Sequence, residues 1–596
     1  MKKFINRPEN VEREVVDGYV KSYPDIIRKA ADDIVARARR KTGKVALVSG
    51  GGMGHEPAHL GYVGTGMLDA AVGGAIYTSP AVDRVSAGID AVAPDCPGVL
   101  LVVKNYTGDV INFKMAEEAA REEGIDCDHV VVNDDVAVGT PTDRSKRRGV
   151  AGTVFVHKCA GAAAEEGASL AEVKRVAEKV IDNVRTMGVA IAPCTVPAAG
   201  TPGFTLADDE MEMGVGIHGE PGIRREKMEP VDAMVDEILE HVLDDLPYEG
   251  HDVAVLVNGA GGTPDYELAL VANHVHDVLA AHNVFAWHTY MGNYLTSLEM
   301  RGFSVSLLRL DDELKRLLAA PCETAAWTQG TITAATAPAS PAPEAAAAAD
   351  EAGAEAVSAQ TPSSHAGSPV HAPNSARQIG VSLASQALAA VADALDAHKD
   401  ELTALDQPIG DSDHGINMAR GFDAVRVQLP ELTDDDLAGL LRACGKTIVS
   451  RVGGSSGPLY GTLFRKVGVA LKGDDEPTVR ALTAGLGKAL VAIEDLGGAK
   501  PGDKTMLDAM QPALEALEHA RATDAPLAEA LAAAADAAEA GAEATVPLQA
   551  RKGRASYLGE RSVGHKDPGA ASFALIARTL ADFAAAHEGH DGGRDA

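Results

Sequence analysis

The sequence predicts a multidomain protein: an α/β N-terminal portion of two subdomains, then an all-α helical domain. Three observations carry this. Short β-rich apolar runs alternate with helix-like segments over the first 330 residues. After residue 377 the segments become long and rich in Ala and Leu, with sparse strand signals. Between them, residues 331–376 contain no Lys, Arg or aromatic residue and are dominated by Ala, Pro, Ser and Thr. That composition cannot bury enough apolar surface to offset the entropy of ordering, so this stretch reads as a flexible linker.

In the first portion, strands are predicted at 44–49 (KVALVS), 98–103 (GVLLVV), 129–132 (HVVV), 253–258 (VAVLVN) and 303–308 (FSVSLL). Helices are expected at 160–185 and 266–281 between them. Continuous apolar strands alternating with helices imply a largely parallel, buried sheet. The Pro/Gly-rich region at 193–202 suggests a border between subdomains of about 1–190 and 191–330. The last portion, 377–596, predicts helices at 381–399, 433–448, 478–494, 508–520 and 527–540.

The chain has 54 basic and 86 acidic residues, a net charge of −32, with 46% apolar and only 4% aromatic residues. Its cores are therefore mostly Ala, Val, Leu and Ile. The charge argues against nucleic acid and against anionic membranes as partners, both of which need a basic face. It leaves open a phosphate-bearing small ligand at one local site. The six cysteines are scattered, with no CxxC pair, and the N-terminus lacks an apolar targeting segment. No stretch approaches the roughly 18 apolar residues of a membrane span. A cytoplasmic location is expected.

Several generic motifs fail. Gly214–Gly219 fits G-x-G-x-x-G but follows EMEM instead of a buried strand, and Pro221 interrupts any helix. The run from Gly439 to Gly445-Lys446-Thr447 has one residue too many for a Walker A loop. A calcium loop starting at Asp411 would place Gly415 and Phe422 where carboxylates are needed.

Asp406, Asp411 and Asp413 put three carboxylates within eight residues. Their mutual repulsion is relieved by a divalent cation, with Mg2+ the fitting hard ion, or the segment is a solvated acidic loop or helix cap. Downstream lie the glycine-rich, hydroxyl-bearing loops 453–457, 497–505 and 551–556, whose backbone N–H groups suit phosphate or simply connect helices. In the first portion, SGGGMGHEP (49–57) and KNYTGD (104–109) each follow a predicted strand, at the carboxyl end where α/β sheets bind ligands. His55 there is a substrate hydrogen-bonder or a helix cap. His218, flanked by glycines, is a structural residue or a nucleophile or base.

At six places in order the chain resembles the dihydroxyacetone kinase family in its single-chain, ATP-dependent form: SGGGMGHEPAHLGYVGTGML (49–68), RGVAGTVFVHKCAGAAAEEG (148–167), GVGIHGEPG (214–222), GDSDHGINMARGF (410–422), GGAKPGDKTMLDAM (497–510) and GRASYLGERSVGHKDPGAAS (553–572). The resemblance implies an N-terminal ketose-binding domain and a C-terminal helical barrel that binds Mg-ATP. It implies that His218 attacks the ketose carbonyl to form a hemiaminal, that Asp109 acts as base on the terminal hydroxyl, and that His55 hydrogen-bonds substrate. Gly52, Met53 and Lys104 would border the substrate. Asp406, Asp411 and Asp413 would hold Mg2+, and His414, Asn417, Ser455, Ser456, Gly497, Met506, Arg554 and Asp567 would line the nucleotide site. The family usually carries Ser where Met53 stands and Gly where Ser412 stands. Met53 brings erythrulose into view as an alternative to dihydroxyacetone. The alternatives to a ketose kinase are a non-catalytic ketose-binding regulator or an FMN-cyclising activity on FAD; the resemblance also implies a homodimer in which one chain's nucleotide domain faces the other's ketose domain.

Overall fold

The computed structural model of the chain describes residues 2–94, 96–200, 202–332, 383–410, 412–431, 437–472 and 477–587. The linker 331–376 lies outside them except for its first two residues, and so does Asp411.

The N-terminal strands are β1 (Ile27–Ala31), β2 (Ile34–Arg37), β3 (Ala46–Met53), β4 (Gly64–Thr65), β5 (Ala70–Ile76), β6 (Val99–Lys104) and β7 (Cys127–Val132). All but β4 form one sheet in the order β1-β2-β5-β3-β6-β7. Its centre, β5-β3-β6-β7, is parallel, and β1-β2 extend it antiparallel at one edge. Every residue of β3 and β6 is buried, as expected of strands covered by helices on both faces. Each buried Val or Leu there contributes about 1.5–3 kcal/mol.

The second set is β8 (Val184–Ala192), β9 (Glu210–Met213), β10 (Arg224–Lys227), β11 (Asp252–Gly259), β12 (Phe285–Gly292) and β13 (Arg301–Leu310), in the order β10-β9-β8-β13-β11-β12. Here the expectation of a largely parallel sheet is corrected. Only β11 and β12 pair in parallel, and the other four pairings are antiparallel. The chain passes from β12 to β13 through residues 293–300, too short for a crossover helix, so it reverses direction. β14 (Cys322–Thr324) and β15 (Thr328–Gln329) return to β4 in a small third sheet.

The single helix expected at 160–185 is two helices, Thr153–Glu165 and Leu170–Asn183. Gly167 turns the chain with φ of 90°, and the Ser169 hydroxyl caps the second helix by accepting the Glu172 N–H. Val184 and Arg185 already belong to β8.

Among the described residues no strand follows Gln329. Helices from Leu383–Ala397 to Pro568–His587 share one core that includes Leu395, Phe422, Ile448, Phe464, Ile493 and Leu507. The last of them is long and apolar enough to cross a membrane by length and composition alone, contrary to the expectation that no stretch is. Its Phe573, Ala574 and Ile576 are packed into this core.

Candidate active site

β3 and β6 end side by side, and the loops that leave them build one half of the site. A Cβ on Gly52 would stand 2.5 Å from the Tyr77 backbone, and one on Gly51 would stand 2.3 Å from Lys104 Nζ. Only glycine lets the strand end pass this closely. Met53 is buried, with its thioether against Gly73, so its bulk lies in the core beneath the loop.

His55 is fully enclosed. Its Nδ1 lies 2.8 Å from the Thr296 carbonyl, which can only accept, so Nδ1 carries the proton. Nε2 is left as an acceptor with no partner among the described residues. Burial drives its pKa well below the ordinary histidine value, so the ring is neutral.

His218 sits in the turn after β9. Its Nδ1 is 2.8 Å from Glu220 Oε1, while Glu220 Oε2 accepts the His218 backbone N–H at 2.9 Å. Burial lowers the His218 pKa despite this carboxylate. Burial alone would raise the Glu220 pKa, but His218 and Arg148 hold it far below the usual range. A neutral His218 that donates from Nδ1 presents a lone pair at Nε2. The ring makes edge contacts with His55, Tyr77 and Tyr106 at centroid distances of 4.8, 5.1 and 4.7 Å.

Lys104, the last residue of β6, places Nζ 3.1 Å from the Gly50 carbonyl, 2.9 Å from His59 Nε2 and 3.6 Å from Asp109 Oδ2. Asp109 lies in the first turn of the helix Thr107–Glu122, where the helix dipole favours a carboxylate. Its Oδ1, His55 Nε2 and the Tyr106 hydroxyl are buried without hydrogen-bond partners among the described residues. Buried polar atoms are rarely left so. Orphans in this one neighbourhood suit a small, hydroxyl-rich ligand.

The other half is helical. Asp406, Asp413, His414, Asn417, Ser455, Ser456, Gly497, Met506, Arg554 and Asp567 all line one cavity of about 180 Å3. Asp406 ends the helix Lys399–Asp406, and its Oδ2 accepts the N–H groups of Asp413 and His414 at 3.0 and 3.3 Å. Burial, then the neighbouring Asp413, pushes the Asp406 pKa up. Two carboxylates at such close quarters suit a hard divalent cation, so the donor set fits Mg2+.

His414 bridges Ser572 and Ser456 at 2.9 and 3.3 Å. Asn417 accepts from Arg420 at 2.7 Å. Ser455 and Ser456 open the helix Ser456–Ala470, and Met506 precedes the helix Leu507–Ala522. Asp567 accepts the Ala570 N–H at 2.7 Å, and burial pushes its pKa up to about 7. Lys504, within the expected phosphate loop, instead gives its ammonium to the carbonyls of Thr545, Leu548 and His565.

The cavity is closed by the α/β portion of the same chain, through Ser79, Thr107, Gly108 and Ile111. Three consecutive residues after β5 form the seam. The Tyr77 carbonyl accepts from Arg554 Nη2 at 2.9 Å, the Thr78 hydroxyl donates to Asp413, and the Ser79 carbonyl accepts the Gly454 N–H at 3.2 Å. Nearby, Arg561 donates to Glu212 at 3.0 Å and to the Gly222 carbonyl at 2.6 Å, gripping both ends of the His218 turn. Within this chain, then, the nucleotide-site residues face the residues directly after β5 and the start of the helix Thr107–Glu122.

Reading the sequence missed Glu220, Tyr77, Thr78 and Arg148. Glu220 had a signal, its place two residues after His218 in GVGIHGEPG. The other three act through contacts that no local pattern announces.

Comparison with known proteins gives two family matches, to the Dak1 domain over residues 17–326 and to the DAK2 domain over residues 408–582. The chain is 39% identical to the D-erythrulose kinase of Mycolicibacterium smegmatis over 98% of both chains. Its first 55% is matched, at 50% identity, by the whole dihydroxyacetone-binding subunit DhaK of the PTS-dependent dihydroxyacetone kinase 1 of Listeria innocua. Among solved structures it resembles the C. freundii dihydroxyacetone kinase in complex with AMP-PNP and Mg2+, at 32% identity, with a TM-score of 0.50 over 98% of this chain and 99% of that one.

Proposed function

Because this chain belongs to the single-chain dihydroxyacetone kinase family, with Dak1 and DAK2 domains fused, we propose that it transfers a phosphoryl group from ATP to the terminal hydroxyl of a short ketose. Residues 1–330 serve as the ketose domain and 377–596 as the nucleotide domain, joined by the linker 331–376. The observation that carries the reading is the tautomer of His218. Glu220 accepts a hydrogen bond from Nδ1–H, which leaves the Nε2 lone pair free to attack, beside three polar atoms orphaned among the described residues.

His218 Nε2 adds to the ketose carbonyl carbon as the C=O π bond breaks; the cationic ring releases its Nδ1 proton by way of the Glu220 carboxylate and the carbonyl oxygen takes up one proton, which gives a neutral hemiaminal with no net change in protons. This selects ketones and aldehydes and fixes the substrate in one orientation. His55, Lys104 and the backbone at Gly52 hold the substrate oxygens. Asp109 accepts the proton of the attacking hydroxyl as the O–P bond forms and ADP leaves. Asp406, Asp411 and Asp413 would hold Mg2+, which would supply neutralisation of the phosphate charge. Arg554 and the N–H groups at Ser455 and Ser456 orient the triphosphate. The intact donor set and nucleophile favour a catalyst over a non-catalytic regulator. A metabolic kinase of this kind is expected to work in the cytoplasm as a homodimer, and light scattering should give the mass of two chains.

A second reading concerns the acceptor. One full-length relative is a D-erythrulose kinase, so a ketotetrose stands beside dihydroxyacetone. With ATP and Mg2+, a panel of dihydroxyacetone, glyceraldehyde and both erythruloses should be phosphorylated to differing extents. His218→Ala should abolish turnover and the ketose mass adduct. Full activity in that variant would sink the hemiaminal role. Release of cyclic FMN from FAD, with no ketose turnover, would replace the kinase reading.

A further inference from the structure

Tyr77 has no role in the mechanism above, yet it touches both halves of the site. It is buried, directly after β5, in a left-handed conformation with φ of 64°. Its ring stacks on His55 at 5.1 Å with 18° between planes and meets His218 edge-on at 5.1 Å. Its hydroxyl lies 2.8 Å from Ser297 Oγ and 3.0 Å from Cys194 Sγ. Ser297 Oγ in turn is 2.6 Å from the carbonyl of Ile217, the residue before His218.

The direction of this chain is fixed by counting hydrogens. A backbone carbonyl only accepts, so the Ser297 hydrogen goes to Ile217. The Ser297 oxygen then accepts from the Tyr77 hydroxyl, and the Tyr77 oxygen accepts the Cys194 S–H. Burial raises the pKa values of Tyr77 and Cys194, keeping both donors protonated. The neighbour of Ser297, Thr296, fixes the His55 tautomer through its carbonyl.

We propose that Tyr77 is the positioning residue of the ketose site, holding the His218 turn through the chain Cys194–Tyr77–Ser297–Ile217 while its ring wedges His55 against His218. This rests on the reading of His218 as the ketose nucleophile. The Tyr77 carbonyl also receives Arg554, so the same residue is held from the nucleotide side.

The test compares Tyr77→Phe, which keeps the ring and loses the hydroxyl, with Ser297→Ala and the double variant. Losing one hydrogen bond of ordinary strength should raise the ketose KM roughly three- to tenfold. The KM for ATP should stay put, and kcat should change less than twofold. The double variant should be no worse than Ser297→Ala alone, because both cut one chain. Unchanged ketose KM in both single variants overturns the proposal, as do effects that simply add. So does a fall in melting temperature with no change in KM, which marks Tyr77 as merely structural. Intact-mass measurement of the ketose adduct separates this from the underlying reading. If the wild-type protein forms no adduct, the hemiaminal fails. If it does and Tyr77→Phe matches it in both KM and occupancy, the positioning role fails.

Discussion

His218 owes its chemistry to two neighbours, one beside it in sequence and one shared environment. Glu220 orients the ring and fixes its tautomer, while burial keeps it neutral. Freeing the ring by Glu220→Ala should cost on the order of 10²-fold in kcat/KM for the ketose, the usual consequence of a misplaced reacting group. The pH profile checks the charge separately. Because the folded pKa of His218 lies below its ordinary value of 6.5, Nε2 stays unprotonated as pH falls through that value. The acid limb of kcat/KM should therefore appear only at more acidic pH. The Glu220 charge raises the His218 pKa, opposing burial, so Glu220→Gln should displace that limb further toward acid. A shift toward neutral pH would contradict this electrostatic account. At this scale the sequence was partly legible. His55 and His218 stand among glycines that mark them out in the sequence, but Tyr77 reads as one apolar residue among others in AAVGGAIYTSP.

Elements were legible where apolar periodicity was strong and opaque where glycine did the packing. β3, β6, β7, β11 and β13 stand where the apolar runs predicted them. The helix His414–Gln428 was not foreseen, since Gly415 and Gly421 look like breakers. Both are there for close approach: a Cβ on Gly415 would meet the Lys399 carbonyl at 2.1 Å, and one on Gly421 would meet Val452 at 1.9 Å. β5 escaped notice for a similar reason, being built from small residues. The last helix offers a test of local design. Asp567 caps it through the Ala570 N–H, with Pro568 in the first helical position. Asp567→Ala should cost about 1 kcal/mol by thermal or denaturant unfolding, and Asp567→Asn should recover most of it, because the amide oxygen caps as well. Equal loss in both variants would mean that the carboxyl, not the cap, holds this end.

The whole molecule is an acidic body that concentrates a few cations where phosphates are expected. Its two halves meet through polar contacts that include those of Tyr77, Thr78 and Ser79. Which residues make that meeting could not be read from the sequence, because Tyr77 and Arg554 lie 477 positions apart. A chain divided in the linker, as 1–332 and 383–596, should regain ketose phosphorylation when the halves are mixed. Its turnover should rise with protein concentration, whereas the intact chain's specific activity should not. The matching of the whole Listeria innocua subunit to the first part supports independent folding there. Failure to recover activity from two folded halves would show that the linker does more than tether. The seam has one further consequence. Tyr77 meets His55 and His218 with its ring and Arg554 with its carbonyl, so a shift of this one residue is felt at both sites. Whatever factor ATP applies to the affinity for ketose, the ketose must return, undiminished, to the affinity for ATP.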